Sequence, residues 1–554
     1  MKNLLYALPL GLFCLFAPRL QAQQQGQFSG DLELNNNFFI RDTLIGASGT
    51  PQYDRQKSGT ESWLTLNYSN WGFDIGMRFD LFNNSNILDP NDSYSALGLG
   101  RWHIRKSIDK LHIAAGYIYD QIGSGILFRA YEARPLAIDN ALVGLRLQYD
   151  LHKNWKIRAF SGKQKKVEKQ RNLFEIYDPL VIGGAIDGYI SFGDSSNVFL
   201  APGAGMLKRT LDDATMNTVV GNISTDSFEY RFVPQYNTYA FTLYNTLTAG
   251  DFTWYVEGAY KTQEAIPDPV RVGYFQNRAG WVGYTSLSYS RPGFGITLQA
   301  KRTDNFFMRV SPLMVRNRGQ IAFLPPMQRQ NTYRLTARYN SATQELGEWA
   351  FMGDVLINPT KKLGFVLNYA HITNSDGDLL FREAFLESTW KWNAKQKLIL
   401  GLQYQQYNQE IYEVKPGAPM VNQFTPFMEF VQKFDKKRSL RVEAQYMFTR
   451  QDLGSWAFLQ LEFNVAPHWS FTVADLLNTD PRKLGEVIEK PQPDGTLKKQ
   501  TPIHYPTVSV FYTYKAYRAG LSFVKQPQGV VCTGGICRLE PAFSGVRFNL
   551  TARF

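Results

Sequence analysis

The chain has 554 residues, 44% hydrophobic and 14% aromatic, with 19% charged residues, a mean hydropathy of −0.30 and a net charge of +12. That apolar and aromatic content excludes a disordered chain. Three cysteines and six histidines exclude a zinc or disulfide-rich scaffold, and no long apolar run after the first twenty residues leaves room for a bundle of membrane helices.

Met1 to Ala22 reads as a secretory signal peptide: Lys2 gives the positive start, Leu4 to Phe16 the short apolar core, and Leu20-Gln21-Ala22 the small-residue cleavage site. Cys14 lies inside that core without the small neighbours a lipid attachment site needs. Removing the peptide takes away Lys2 and Arg19 and leaves a mature charge of +10.

From there the period is two. Val143, Leu145, Leu147 and Tyr149 alternate with Arg146, Gln148 and Asp150. The same pattern recurs in Phe294 to Lys301, Leu440 to Thr449 and Ala457 to Val465. In the last segment Val546, Phe548, Leu550, Ala552 and Phe554 alternate with Arg547, Asn549, Thr551 and Arg553. One apolar and one polar face per strand suits a wall between lipid and water. Connections alternate in length: short at 291–293, 358–361, 393–396, 435–437 and 466–468, long at 305–330, 410–422, 477–504 and 527–543. Trp71, Trp155, Trp390, Trp392, Tyr404 and Tyr446 fall near strand ends, as interfacial girdles require. No linker or boundary follows residue 23. These patterns predict an all-β chain: one large transmembrane antiparallel β-barrel of about 22–26 strands, with short periplasmic turns and long extracellular loops, filling 23–554. Counting crossings back from the C-terminus alternates consistently to about residue 331. Counting forward through 291–293 arrives with the opposite parity, so 305–330 hides a further crossing or one turn is misread.

The stretch 120–140 breaks the alternation. It brings Arg129, Glu132, Arg134 and Asp139 together with Gly123, Gly125 and Pro135, and Pro135 has no place in a central strand. Such a density of opposed charges, with Arg146 on the following strand, suits an inward-folded plug or a constriction. A surface loop with ordinary ion pairs and a ligand site are the other readings. Cys532 and Cys537, four residues apart around Gly534-Gly535, suit a structural disulfide in an oxidising compartment. Phe554 ends a patterned strand and resembles the signal read by the outer-membrane barrel-assembly machinery.

Catalytic motifs are missing. The histidines His103, His112, His152, His371, His468 and His504 form no metal-ligand spacing, and Ser124 has no His partner in sequence. No metal, cofactor or nucleic-acid partner is expected. Arg146, Lys301, Arg441, Arg547 and Arg553 on polar faces would bias permeation toward anions, with Glu383, Glu387, Glu443 and Glu462 partly cancelling them.

Three stretches carry a resemblance: GSG…RAYEARPLAIDNAL at 123–142, RLTARYNSATQELGEWAFMGDVLINPTKKLG at 334–364, and GVVCTGGICRLEP…FNLTARF at 529–554. They resemble a family of Bacteroidota outer-membrane barrels catalogued only as a domain of unknown function. The resemblance implies a large barrel in the outer membrane and brings no catalytic residues with it. The expected function is a non-enzymatic channel or passive transport or export conduit for small polar or anionic solutes, with a partly occluded lumen. The alternatives are a structural or accessory component of a secretion or envelope complex, with an envelope protein as partner, and, third, a barrel-embedded hydrolase.

Overall fold

The computed structural model describes residues 26–168, 173–193, 197–314, 318–491, 496–533 and 536–554; for 531–533 and 536–537 it describes the backbone only. The segment read as a signal peptide lies outside these residues.

Twenty-four antiparallel strands form one closed barrel, from Gln27–Phe39 to Phe543–Arg553. Those two strands pair along Asp31↔Arg553 to Phe39↔Gly545, so no sheet edge is left open. The short Ile190–Ser191 strand continues the line of Ile176–Gly188 along the same neighbour, Val198–Thr210. The count falls within the range expected from the sequence, and the expected fold class holds.

The alternation of side chains sets the register. Leu145, Leu147 and Tyr149 stand on the outer wall, with Leu243, Leu402, Leu459 and Val473 among many other exposed apolar residues. Turning such a wall into water would be prohibitive, whereas a bilayer needs it. Two ends are distinct. At one, two-residue turns such as 71–72, 109–110, 153–154, 250–251, 292–293, 361–362 and 515–516 join the strands. At the other lie the long connections 40–57, 119–141, 211–236, 305–346, 408–420, 479–502 and 527–542. These are called below the turn end and the loop end. Exposed aromatics gather near both: Trp71, Trp254, Trp390, Trp392 and Trp469 toward the turns, Phe38, Trp281, Trp349 and Phe448 toward the loops. Trp155, beside the 153–154 turn, lies over Gly188 on the same face as the outward-facing Ile157.

The parity conflict has a simple origin. Among the described residues, 305–346 contains no barrel strand, and Phe294–Asp304 pairs directly with Gly347–Thr360. The turns are as read; the stretch from 331 is not a crossing. Leu335 and Tyr339 are buried inside the barrel, and the backbone there is held by side chains of the wall. Leu335 N–H donates to Gln445 at 2.8 Å, Gln403 donates to Thr336 O at 3.0 Å, and Gln405 donates to Tyr339 O at 2.9 Å. Inside a barrel, alternation meets a packed wall just as it would in a sheet.

Burial along the strands is uneven. In Val421–Lys433 the inward residues Val421, Gln423, Thr425, Phe427 and Glu429 are buried, and burial is lost toward Lys433 at the turn end. Asn237–Ala249 and Gln396–Tyr407 show the same gradient. The lumen is therefore filled at the loop end and open at the turn end.

Candidate functional site

The filling is built mainly from 119–141 and 305–346. In the first, Gly123 (φ 55°) and Gly125 (φ 102°) turn the chain between the paired strands Gln121–Ile122 and Phe128–Arg129. Both glycines adopt the left-handed backbone that side chains resist. A second turn, the 3-10 helix Arg134–Leu136 containing Pro135, lies between Glu132–Ala133 and Ile138–Asp139. Ile122, Ile126, Leu127 and Phe128 are fully buried, and Phe128 stacks on Phe160 of the wall at 4.5 Å. Gly205 makes room: a Cβ there would fall 2.6 Å from Ile122 Cγ2.

Charge anchors the same segment. Arg78, on the wall, forms a bidentate pair with Asp80 (2.6 and 2.8 Å), reaches Glu132 at 2.6 Å and lies 3.7 Å from Asp139. Lys165 (2.7 Å) and the Tyr119 hydroxyl (2.7 Å) also hold Asp139, and Arg101 approaches Glu132 at 3.4 Å. Arg134 joins Glu132 to Glu33 on the first strand and lies over Trp63 at 4.9 Å. Carboxylates and cations balance in this network, as buried charge requires. Burial opposes ionisation of Asp139, but Lys165, Arg78 and Tyr119 outweigh it and hold the carboxyl below its usual range. Burial also pushes the Tyr131 hydroxyl up to about 12, with Arg129 acting against it.

The residues picked from the sequence thus separate. Glu132, Arg134 and Asp139 meet in one network. Arg129 instead stacks on Phe323 (4.1 Å) and Tyr131 (4.8 Å). Arg146 belongs to another cluster, where Asp120 receives Arg146 at 2.7 Å and Arg158 at 2.8 Å. The sequence reading missed Arg78, Asp80, Lys165 and Glu257. A signal existed: charged residues at inward positions of strands whose other face is apolar, as Arg78 and Asp80 are between Met77 and Leu81. Buried Glu257 grips the tip of the segment, accepting from Ser124 N–H (2.9 Å), Thr242 (3.0 Å) and Tyr255 (2.6 Å). Ser124 Oγ itself has no hydrogen-bond partner, histidine included, among the described residues.

Wall lysines pin the second segment by its backbone. Lys261 donates to Phe307 O (2.6 Å) and Lys301 to Pro325 O (2.5 Å), while Glu264 and Glu348 neutralise them at 2.5 and 2.7 Å. Arg209 donates to Arg309 O, and Arg309 pairs with Glu345 at 2.7 Å. The two segments join: Arg129 N–H to Ile321 O and Phe323 N–H to Gly125 O, both 3.0 Å, and Asn140 to Gln320 O at 3.2 Å. Lys301 and Arg441, expected as free lumen cations, are both engaged; Arg441 is held by Glu429 (2.9 Å), Glu443 and Glu462 (3.5 Å). Arg547 lies over Phe543 at 4.0 Å.

Beneath the tip at Gly123 opens a cavity of about 1070 Å³ at the turn end. Lys110, Lys153, Lys156 and Arg158 line it with Asp150, Asp187, Trp155, Tyr189, Tyr244 and Tyr255. At the seam Phe554 exchanges backbone hydrogen bonds with Gly30 (2.8 and 3.0 Å), and its ring lies 6.4 Å from Phe28. The hairpin Gly529–Thr533 and Ile536–Glu540 sets the backbones of Cys532 and Cys537 opposite each other; the side chains, and so the expected disulfide, fall outside the described residues.

Wall and filling together define the class: a large closed β-barrel of outer-membrane type, occluded at one end. The chain belongs to a family of unknown function, DUF6029, which matches residues 1–554. No curated protein matches it. Among solved structures it is similar to the ferric enterobactin receptor of Pseudomonas aeruginosa, with 8% identity over 97% of this chain and 81% of that one and a TM-score of 0.42. It is also similar to the P pilus usher translocation pore, with 9% identity over 95% of this chain and 99% of that one and a TM-score of 0.44.

Proposed function

We propose that this protein is an outer-membrane transport barrel, closed at rest, that passes small polar or anionic solutes when the filling of its loop end moves. The observation that carries this reading is the burial gradient: inward side chains are packed at the loop end and water-accessible at the turn end. An unfilled barrel of this strand number would hold a wide aqueous channel. Here 119–141 and 305–346 act as the plug, and the turn-end cavity is the vestibule beneath it. The terminal strand with Phe554 supports insertion by the barrel-assembly machinery from the periplasm, after removal of residues 1–22. This puts the turns in the periplasm and the loops outside the cell. Nothing in the reading calls for catalysis.

Conductance of the purified protein in planar bilayers tests it. The intact barrel is expected to be silent or nearly so. A barrel lacking 123–139 is expected to conduct steadily while keeping its heat-modifiable migration on gels. Unchanged conductance in a folded deletion variant overturns the plug assignment.

A further inference from the structure

Two arginines on the outer wall near the loop end, Arg302 and Arg382, form no ion pair among the described residues. Other cations on that face have an acid: Lys163 pairs with Asp178 (3.4 Å) and Arg278 with Asp304 (3.1 Å). Register sets where the two arginines stand. Lys301 and Glu383 are buried inside the barrel, so Arg302 and Arg382, one residue on or back, turn to the opposite face. Arg302 is paired in register with Trp349, and its guanidinium lies 4.8 Å over that ring. It also reaches Ser375 Oγ at 3.4 Å. Trp349 stacks on Phe351 at 6.4 Å. Phe351 is paired with His371 on the next strand, and His371 with Arg382 on the one after. Arg382 Nε donates to His371 Nδ1 at 3.3 Å. A polar and aromatic band thus crosses four neighbouring strands at the level of the loop-end girdle. An arginine at the edge of hydrocarbon without a counter-charge is costly, and an anionic oxygen group satisfies its planar fork.

Just below this band, toward the turn end, the outer face of the same sector forms a hollow of about 510 Å³. Its origin is one cross-strand row, Gly353–Tyr369–Ala384–Tyr404, in which small and large residues alternate. Leu367 and Leu402 line it one outward position further from the loops. His371 and Arg382 are each two residues from this row, so the charged band lies about 7 Å above the hollow at ~3.3 Å per residue.

We propose that this sector of the wall binds an acylated glycolipid of the outer leaflet, with acidic groups of its sugar head on Arg302 and Arg382 and an acyl chain in the hollow at Gly353 and Ala384. Spacing decides the lipid. Three strand intervals separate the arginines, roughly 14 Å at ~4.8 Å each. A single phosphodiester head group reaches one of them. A head of linked sugars with acidic groups at both ends reaches both. A second copy joined by this same face would set arginine against arginine. The inference rests on the orientation proposed above, with the loops outside the cell, and is independent of the plug.

Native mass spectrometry of the full-length barrel in mild detergent tests it, with purified rough lipopolysaccharide and phosphatidylglycerol as probes. One lipopolysaccharide is expected per barrel, bound roughly tenfold or more tighter than phosphatidylglycerol. Arg302→Gln plus Arg382→Gln should weaken lipopolysaccharide binding roughly tenfold or more. Ala384→Phe, which fills the hollow without changing charge, should also weaken it, and Lys163→Gln should not. Heat-modifiable migration of each variant confirms a folded barrel. Equal binding of the two lipids, binding that neither the arginine nor the Ala384 variant changes, or dimers in place of the lipid adduct would each overturn the proposal. Cleavage of 408–420 by protease added to intact cells reads the orientation separately. Protection there overturns the orientation that both readings share, whereas cleavage with no lipopolysaccharide bound overturns this inference alone.

Discussion

The two ends of the lumen are made from the same strands with the same alternation, yet they differ in kind. At the loop end Arg78, Lys261 and Lys301 are buried, each matched to carboxylates and to carbonyls or carboxylates of an inward segment. At the turn end Lys153, Lys156 and Asp150 line open water. The difference teaches that charge on the inner wall has no fixed meaning. Where a segment folds against it, the charge becomes an anchor whose removal leaves partners stranded. Where none does, it acts on whatever enters.

The comparison can be broken at its strongest point first. Arg78→Ala leaves Asp80, Glu132 and Asp139 without their shared cation. It is expected to destabilise the barrel by about 3–5 kcal/mol, measured as a lower denaturation midpoint in micelles. A loss as small as that of Lys156→Ala at the turn end, under about 1 kcal/mol, would refute the contrast. Phe128→Ala removes a buried ring from the Phe160 stack and should cost about 3–5 kcal/mol if the filling is as dense as a protein core. It should also raise the frequency of channel openings; stability lost without any openings would separate packing from closure. A smaller effect is expected from Glu257→Gln, which keeps an acceptor for Ser124, Thr242 and Tyr255 but weakens charge-assisted bonds. Brief openings should become more frequent with little change in midpoint.

The smallest effect is that of pH. Asp139 ionises below the ordinary aspartate value of 3.8. Its contribution to holding 119–141 is therefore complete above that value and is lost only as pH falls through the depressed one. Bilayer recordings should show the same closed barrel from pH 8 down to about 5, with openings rising only in stronger acid. Openings that begin near pH 6 would point to a different anchor.

The particular residues show how far the sequence reaches. Leu145, Leu147 and Tyr149 against Arg146, Gln148 and Asp150 are enough to set a strand with one wall in lipid. Gly123, Gly125 and Pro135 are enough to mark a segment that leaves the sheet. Arg146 shows where this stops. It stands close to Glu132 and Asp139 in the chain but pairs with Asp120, just past the adjacent strand Leu111–Ile118, because the partner is set by which segments the barrel lays side by side. Arg78 and Lys165 give no sign of their role in the sequence, because an isolated cation on a polar face looks the same whether it meets water or a buried carboxylate. Residues 331–340 alternate like a strand and are none.

What the sequence determined by itself is the barrel. Period-two alternation, turns of alternating length and an apolar final strand admit no other closed solution, since each backbone group must be paired within the wall. The tertiary structure alone decided that the lumen is filled at one end and open at the other. That outcome depends on contacts between residues more than a hundred positions apart, such as Ser124 with Glu257 or Leu335 with Gln445. Local patterning gives no record of which inward side chains will find one another, because only closure of the barrel brings them within reach.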